Sequence, residues 1–591
     1  MDKQRAEKLL DETFNCEFNT DRFSRFIKEL FNEFIITHRE RHAWSEFKSH
    51  IDTYQFLGSY TDKSNRPYKS IDVLDVKLKS TSSIDRARTK QRNFVAKYLG
   101  AANKNAALVA FYGDDPEDWR FSFVKLDYHL EHEPGKVKPV EDLTPAKRYS
   151  YLVGVNEPNH TCRTQFLDLI IDEDTNPSLD KIENAFSIEK VTKEFFDKYR
   201  DLFFKLRDAL DNAIKKYPNV KEEFEEKNIK TDDFAKKLLG QIVFLYFLQK
   251  KGWLGVEKDN NTGKFKEWGT GHKKFLTKLI NGDIVDYENI TGDNDKFFND
   301  ILEPLFYSAL STPRENDYYE IFDYKCKIPF LNGGLFEPLN YYNWQEIDIL
   351  LDNQIFQDII KTFDEFNFTV KEDEPLDKEV AVDPEMLGKV FENLLDVNDR
   401  KSKGAFYTPR EIVHYMCQQS LINYLETNTD VPLGDIETFI QHGELAQQIT
   451  SKSDVEEKYL PASIKKNYSK IDNLLKNIKI VDPAVGSGAF PMGMMNEIVK
   501  ARSILSWLSL DDKPNYYDLK RETIENCLYG VDIDSSAVDI TKLRFWLSLV
   551  VDESDIKKIK PLPNLDHKIM CGNSLLEEFE GVKLFDERLL E

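Results

Sequence analysis

At 591 residues, 41% apolar and 31% charged, the chain is long enough for about three or four globular domains. A formal charge of -23 excludes a protein that is basic over its whole surface, and six scattered cysteines without CxxC spacing fit reduced thiols rather than a zinc or disulfide framework. The longest apolar run, near Ile242 to Leu248, falls far short of the roughly 20 residues that cross a bilayer, and Met1 to Arg5 opens no apolar signal segment, so a soluble cytoplasmic protein is expected.

The first domain is expected over residues 1–175. Its Lys63 to Lys97 stretch carries ten Lys and Arg against Asp72, Asp75 and Asp85, a local excess of seven positive charges that suits a phosphate backbone. A solvated charged face explains the same run. Within it, Ile71 to Lys79 alternates with the period of a strand, which places Val73, Asp75, Lys77 and Lys79 on one face and Asp72, Leu74, Val76 and Leu78 on the other. Asp75-Val-Lys77 resembles the second half of the PD-(D/E)xK nuclease motif, in which a carboxylate holds magnesium and a lysine stands beside it. Asp62 is the candidate upstream acid and Asp127 a second one. A half-buried strand with surface charges accounts for the same pattern. Ser83 to Phe94 reads as a helix whose Arg86, Arg88, Gln91 and Arg92 are expected to meet DNA.

Asp172 to Pro177 is a polar, proline-bearing linker, and residues 180–395 read as a helical connector. Apolar residues around Phe195, Tyr199, Phe203 and Leu206 keep i, i+3, i+4 spacing, and the aromatics there are read as core. Lys371 to Pro375 marks a further boundary before a helix from Pro384 to Leu395.

Residues 396–591 carry the chemistry. Lys401 to Arg410 is a loop by its glycine and proline. Thr408 can donate to a carboxylate, and Pro409 suits the first turn of a helix whose free amides welcome an anion. His414 and His442 have no Cys or Asp at ligand or triad spacing and are read as packed or solvated. Ile478 to Val481 is a strand stopped by Asp482-Pro483, after which Gly486 and Gly488 allow a tight turn into a helix from Ala489. No Gly-Lys-Ser/Thr follows, so this is no phosphate loop, and the third glycine of the dinucleotide fingerprint is missing. A second strand, Cys527 to Asp532, ends in an acid; in a doubly wound sheet such an acid faces the crevice and accepts ribose hydroxyls. A third strand, Lys568 to Cys571, ends in Gly572-Asn573.

Asp482-Pro-Ala-Val-Gly-Ser-Gly-Ala-Phe490, Tyr529-Gly-Val-Asp-Ile-Asp534 and Gly572-Asn-Ser-Leu575 resemble the first three cofactor motifs of adenine-specific DNA methyltransferases, and Lys403-Gly-Ala-Phe-Tyr-Thr-Pro-Arg410 resembles the motif that closes over the cofactor's methionine end. With the Tyr-Thr-Pro element first, the order is that of the gamma arrangement in Eco57I-like (Type IIG) restriction-modification enzymes. The resemblance implies an α/β chain: a nuclease-like amino-terminal domain, a helical connector and an incomplete Rossmann-like methyltransferase domain. It implies S-adenosylmethionine as cofactor, with Tyr407, Thr408 and Pro409 at its methionine end, Asp482, Pro483, Ala484, Gly486, Gly488 and Phe490 shaping the pocket, Asp532 and Ile533 at the ribose, and Asn573 at the adenine. Duplex DNA as partner follows from the same resemblance, and magnesium at Asp75 from the nuclease half-motif.

One departure stands out. The Asn/Asp-Pro-Pro-Tyr/Phe motif that receives the extruded base is expected after the third strand and does not occur in these 591 residues. The chain is therefore expected to be the amino-terminal part of such an enzyme, with the acceptor motif supplied downstream or by a second chain. A magnesium-dependent nuclease subunit and a non-catalytic cofactor- and DNA-binding module are the competing readings.

Overall fold

A computed structural model describes residues 1–591 apart from positions 65, 81, 83, 85–86, 127–129, 134–135, 140–145, 173–174, 260, 287–292, 332–335, 373–375, 395–407, 449–458, 509–513, 553–564, 566, 577, 580–581 and 584–591. The chain divides into two compact units. One comprises Met1–Lys198, Ile359–Thr369 and Asp373–Asp383; the other comprises Tyr199–Asp358, Val370–Glu372 and Pro384–Glu591. The expected boundaries differ from this division. The Asp172 to Pro177 stretch lies inside the first unit, and the 180–395 segment is shared between the two.

The first unit is built on a seven-stranded sheet. Strands β1 (Arg39–His42), β2 (Ile51–Asp62), β3 (Lys69–Leu78), β4 (Ala106–Tyr112), β5 (Asp118–Lys125) and β8 (Lys147–Gly154) lie side by side in that order, and Asp377–Glu379 (β11) closes the edge. β6 (Leu130–Glu133) and β7 (Lys136–Pro139) form a separate hairpin. β3 and β4 are parallel, joined by helix α3 (Arg88–Ala102), as a parallel pair requires a crossover. The alternation along β3 is as the sequence predicts. Leu74, Val76 and Leu78 pack with Phe94, Val95 and Leu99 of α3 and with Val109 and Phe111 of β4. The opposite face meets α1 (Lys3–Phe14), α2 (Thr20–Leu30) and α4 (His160–Ile171), where the rings of Phe14, Phe26 and Phe166 all lie within 6 Å of Phe121. Each such buried ring stabilises the fold by about 1.5–3 kcal/mol.

The helix face of this sheet also buries charge. Arg148, 0% exposed, makes a two-pronged pair with Asp377 of β11 and donates to Gln91 Oε1 at 2.6 Å. Arg88 pairs with Glu379, and Arg120 Nη1 lies 3.4 Å from Glu379 and donates to Ser150. The expectation that Arg88, Gln91 and Arg92 meet DNA is therefore corrected. All three are buried, and Arg88 and Gln91 serve an internal network that ties β11 into the sheet. Arg86 lies outside the described residues.

The second unit contains helix α6 (Thr231–Lys250), which is apolar on all sides from Leu238 to Leu248 and buried accordingly. Its Phe244 ring sits 5.0 Å from that of Trp546. The hairpin β9 (Tyr318–Ile321) and β10 (Tyr324–Lys327) follows. After helices α7 (Pro384–Leu394) and α8 (Arg410–Asn428), three parallel strands alternate with helices: β12 (Ile480–Asp482), α9 (Ala489–Ser506), α10 (Tyr516–Asn526), β13 (Leu528–Asp532), α11 (Ser535–Asp552) and β14 (Ile569–Cys571). The strand order β12-β13-β14 brings the three carboxyl ends to one edge, with Asp482 beside Gly530 and Asp532 beside Cys571. Ile498, Leu528, Ile569 and Phe545 share one core with Val413 and Leu421 of α8. On the other face of the sheet Val481 is 63% and Met570 43% exposed, whereas parallel sheets are usually covered on both sides. No helix among the described residues is long and apolar enough to cross a membrane.

Candidate functional site

The carboxyl edge of β12, β13 and β14 gathers most of the predicted cofactor residues. Gly486 and Gly488 both hold positive φ, +52 and +84, which an L side chain rarely adopts, so the glycines are required by the turn. Gly488 caps α9 from the left-handed region, and a Cβ there would stand 2.9 Å from the Thr541 side chain of α11. Thr541 Oγ1 in turn donates to Gly486 O at 2.9 Å.

Asp532 fastens this turn to β13. Its Oδ2 accepts the Gly486 N–H at 2.8 Å and its Oδ1 the Asp534 N–H at 2.9 Å. A carboxylate oxygen accepts about two hydrogen bonds, so each keeps capacity for a donor from a ligand. Asp482 Oδ1 accepts the Ala484 N–H at 3.1 Å, while Oδ2 is shut from solvent with no partner among the described residues. Burial pushes the Asp482 carboxyl up, and the charge of Asp532 adds to the effect. Pro483 and Ala484 are exposed at the lip, and Ser574 Oγ holds Pro483 O at 2.8 Å, joining the third strand's end to the first. Ile533, 59% exposed, and Asn573 stand at the same edge; Asn573 Oδ1 accepts the Leu575 N–H at 3.0 Å. The half-buried Phe490 begins α9, and its carbonyl lies 3.8 Å from Cys417 Sγ of α8.

Helix α7 joins α8 to this turn. Gly388 lies against Ser487, where a Cβ would meet Oγ at 2.6 Å, and one turn earlier Glu385 pairs with Arg410, the first residue of α8. Thr408 and Pro409 directly precede that residue, with Pro409 as N-cap. Arg544 Nη1 of α11 adds a hydrogen bond to Ser487 O at 2.7 Å and pairs with Glu372. Tyr407 lies outside the described residues. His414 is no ligand; its Nδ1 is 2.8 Å from Glu497 Oε1, an acid that also accepts from Gln418.

Acceptors and small residues of this kind fit an adenosyl cofactor. Asp532 offers paired oxygens for two hydroxyls, and Gly486 and Gly488 put no side chain of their own in the way.

In the first unit the structure separates two residues the sequence reading grouped. Asp75 pairs across the sheet with Gln55, whereas Asp62 pairs with Lys69, seven residues further along β2 or about 23 Å at ~3.3 Å per residue. Asp62 is a structural acid: its oxygens accept the Ser64 and Leu179 N–H groups, each at 2.8 Å, at the start of helix α5 (Leu179–Asn184). Burial pushes Asp62 up, but these hydrogen bonds and Lys69 outweigh it and hold the carboxyl below its ordinary range. Asp127 lies outside the described residues.

The neighbours Asp75 does have were not foreseen. Glu40, Gln55 and Asp75 occupy one row across β1, β2 and β3, and the next row on that face holds His42, Thr53, Lys77 and Tyr112. Asp75 is 3% exposed and accepts from Thr20 Oγ1 at 3.0 Å; burial pushes its carboxyl up to about 6, with Glu40 adding to the rise and Thr20 and His38 opposing it. Lys77 Nζ is 3.1 Å from Asp114. The one sequence signal for Glu40 was the fully charged Arg39-Glu-Arg-His42 run, which reads as a surface strand. Among the described residues no group of three His, Cys, Asp or Glu side chains is placed to hold a metal ion.

Residues 526–589 match the model of the Eco57I restriction-modification methylase family. A putative type II restriction enzyme and methyltransferase of Methanocaldococcus jannaschii, RM.MjaORFECS2P, is 30% identical over 429 residues, covering 66% of this chain and 32% of the relative. The type II restriction enzyme and methyltransferase RM.Eco57I of Escherichia coli is 33% identical over 129 residues, 20% of this chain and 13% of the relative. The chain thus spans about a third or less of the length of the curated relatives it matches. Among solved structures, the Type IIL restriction-modification enzyme MmeI in complex with DNA aligns over 65% of this chain and 40% of its own, at 14% identity and a TM-score of 0.36, too low to argue a shared fold.

Proposed function

We propose that this chain, a relative of the Eco57I restriction-modification methylases, binds S-adenosylmethionine at the carboxyl edge of β12, β13 and β14 and serves methylation of adenine N6 in duplex DNA. The observation that carries the reading is the Asp532 clamp on the Gly486 amide, which fixes a glycine turn against a carboxylate that still has acceptor capacity. The cofactor, when bound, supplies the methyl group. Asp532 and Ile533 take the ribose, Asn573 the adenine edge, Pro483, Ala484 and Phe490 line the pocket, and Asp482 shapes it by holding the Ala484 amide. Thr408 and Pro409, with Tyr407, close the methionine end, where the dipole of α8 at its amino end suits a carboxylate.

Equilibrium dialysis of the full chain tests the donor site. S-adenosylmethionine and its demethylated product are expected to bind and ATP to be excluded, because the turn lacks a phosphate loop; equal binding of ATP, or none of the methyl donor, overturns the assignment. Nucleoside analysis of duplex DNA incubated with labelled donor and the protein tests the acceptor, with N6-methyladenine expected and 5-methylcytosine contradicting it.

A second reading, a magnesium-dependent nuclease in the first unit, is favoured by the Glu40–Gln55–Asp75 row beside Lys77. Magnesium keeps several waters and takes one or two carboxylates, which Asp75 and Glu40 can supply. Magnesium-dependent DNA cleavage lost in Asp75→Ala and kept in a folded Asp62→Asn variant supports it; loss in neither discards it.

A further inference from the structure

Residues 250–278 carry eight lysines against Glu257, Asp259 and Glu267, a local excess of five positive charges on a chain of formal charge -23. The acids are committed elsewhere or few. Glu257 is engaged by His272 and Tyr324, at 3.1 and 3.3 Å, and Asp259 accepts the Asn261 and Thr262 amides at 2.8 and 2.9 Å, which hold its carboxyl below the ordinary range.

The segment is a short antiparallel finger. Val256 bridges to Lys327 of β10, Lys258 bridges to Phe265, and the Lys266 N–H donates to Glu257 O at 3.0 Å. Gly263, at φ +66 with open space around it, lies at the exposed end. Two ammonium groups lie over the Phe265 ring, Lys258 Nζ at 5.1 Å and Lys327 Nζ at 5.2 Å from its centroid, and Lys327 Nζ is also 5.4 Å from the ring of the buried Trp268. The rings hold the lysine stems. What the finger presents outward is charge, through the exposed Lys258, Lys264, Lys266, Lys273 and Lys274, and not open ring faces.

We propose that this finger is a second nucleic-acid contact, separate from the cofactor edge, that grips the phosphate backbone of duplex DNA without reading its sequence. Backbone grip follows from the chemistry: ammonium groups displace counterions from phosphates, while base stacking needs rings whose faces are free, and those of Phe265 are capped by lysines. The inference rests on the reading of the chain as DNA-modifying.

The test compares the full wild-type chain with K264Q/K266Q/K274Q, which keeps chain length and both lysines over the Phe265 ring. Affinity for a 30-base-pair duplex is measured from 50 to 200 mM salt, and S-adenosylmethionine binding is measured in parallel. The triple variant is expected to bind the cofactor like wild type, bind DNA at least tenfold more weakly at low salt, and flatten the slope of log K against log salt by about two to three, near 0.9 for each phosphate no longer neutralised. Unchanged affinity and slope overturn the finger while leaving the donor site intact. Wild type that binds the cofactor but no duplex, or that binds polyglutamate in its place, also overturns it. Failure to bind the cofactor strikes the methyl-donor reading instead.

Discussion

Gly488→Ala is the sharpest probe of the cofactor turn. Alanine at φ +84 costs about 1–2 kcal/mol for the left-handed conformation alone. The new methyl also stands 2.9 Å from both Thr541 Cγ2 and Oγ1, so Thr541 must rotate and give up its hydrogen bond to Gly486 O, worth about 1 kcal/mol. The sum is about 2–3 kcal/mol, against about 1–2 kcal/mol for Gly263→Ala, whose φ is +66 but whose Cβ meets nothing within 4 Å. Hydrogen exchange of the β12 and β13 amides reads the loss locally, and dialysis reads the weakened cofactor binding. Because the clash runs through one partner, Thr541→Ala should recover part of the Gly488→Ala cost, and the double variant should be milder than the sum of the singles. If Gly488→Ala costs no more than Gly263→Ala, or the two substitutions add, the turn is not packed against α11 as described.

Removing one side of the buried pair, in Asp377→Ala, leaves Arg148 charged and enclosed and is expected to destabilise the first unit by about 3–5 kcal/mol, seen as a lowered denaturant midpoint; a change under about 1 kcal/mol contradicts the network. For Asp75 the folded carboxyl at about 6 lies above its ordinary 3.8, so the folded state holds a proton the unfolded chain releases, and its contribution favours folding at low pH and declines by about 2 kcal/mol as pH rises from 4 to 6. Asp75→Asn should abolish that decline in the exchange of β3 amides, and a decline of the opposite sign would reverse the assignment. Burial pushes Glu303 well above the carboxylate range, and Tyr342 donates to it; Glu303→Gln should therefore be within about 1 kcal/mol of wild type and Glu303→Ala worse by about 1–3 kcal/mol, measured by thermal unfolding.

What was legible in the sequence depended on backbone demands and short-range pattern. The Gly486–Gly488 turn announces itself because only glycine relieves positive φ, and the acid closing β13 stands where a parallel sheet exposes its carboxyl ends. The alternation of Ile71 to Lys79 sorted Asp75 from Asp72 onto opposite faces. Partners distant in the chain were not legible. Asp62 is assigned by an amide 117 residues away, and β11 enters the first sheet through an arginine pair spanning 229 residues. A buried arginine in a network and an exposed one facing DNA are the same letter, which is why Arg88 and Arg92 were misplaced. Glu40 was missed because strand pairing, not spacing, brings it to Asp75.

The central claim is a methyl-donor site held by Asp532, and calorimetric titration of the full chain with S-adenosylmethionine beside Asp532→Ala tests it most directly. Charge-assisted hydrogen bonds contribute about 1.5–3 kcal/mol each, so loss of the carboxylate should weaken binding by about tenfold to a hundredfold or more. Saturable binding by wild type that the folded variant loses is the predicted result; equal binding by both, or none by folded wild type, contradicts the account.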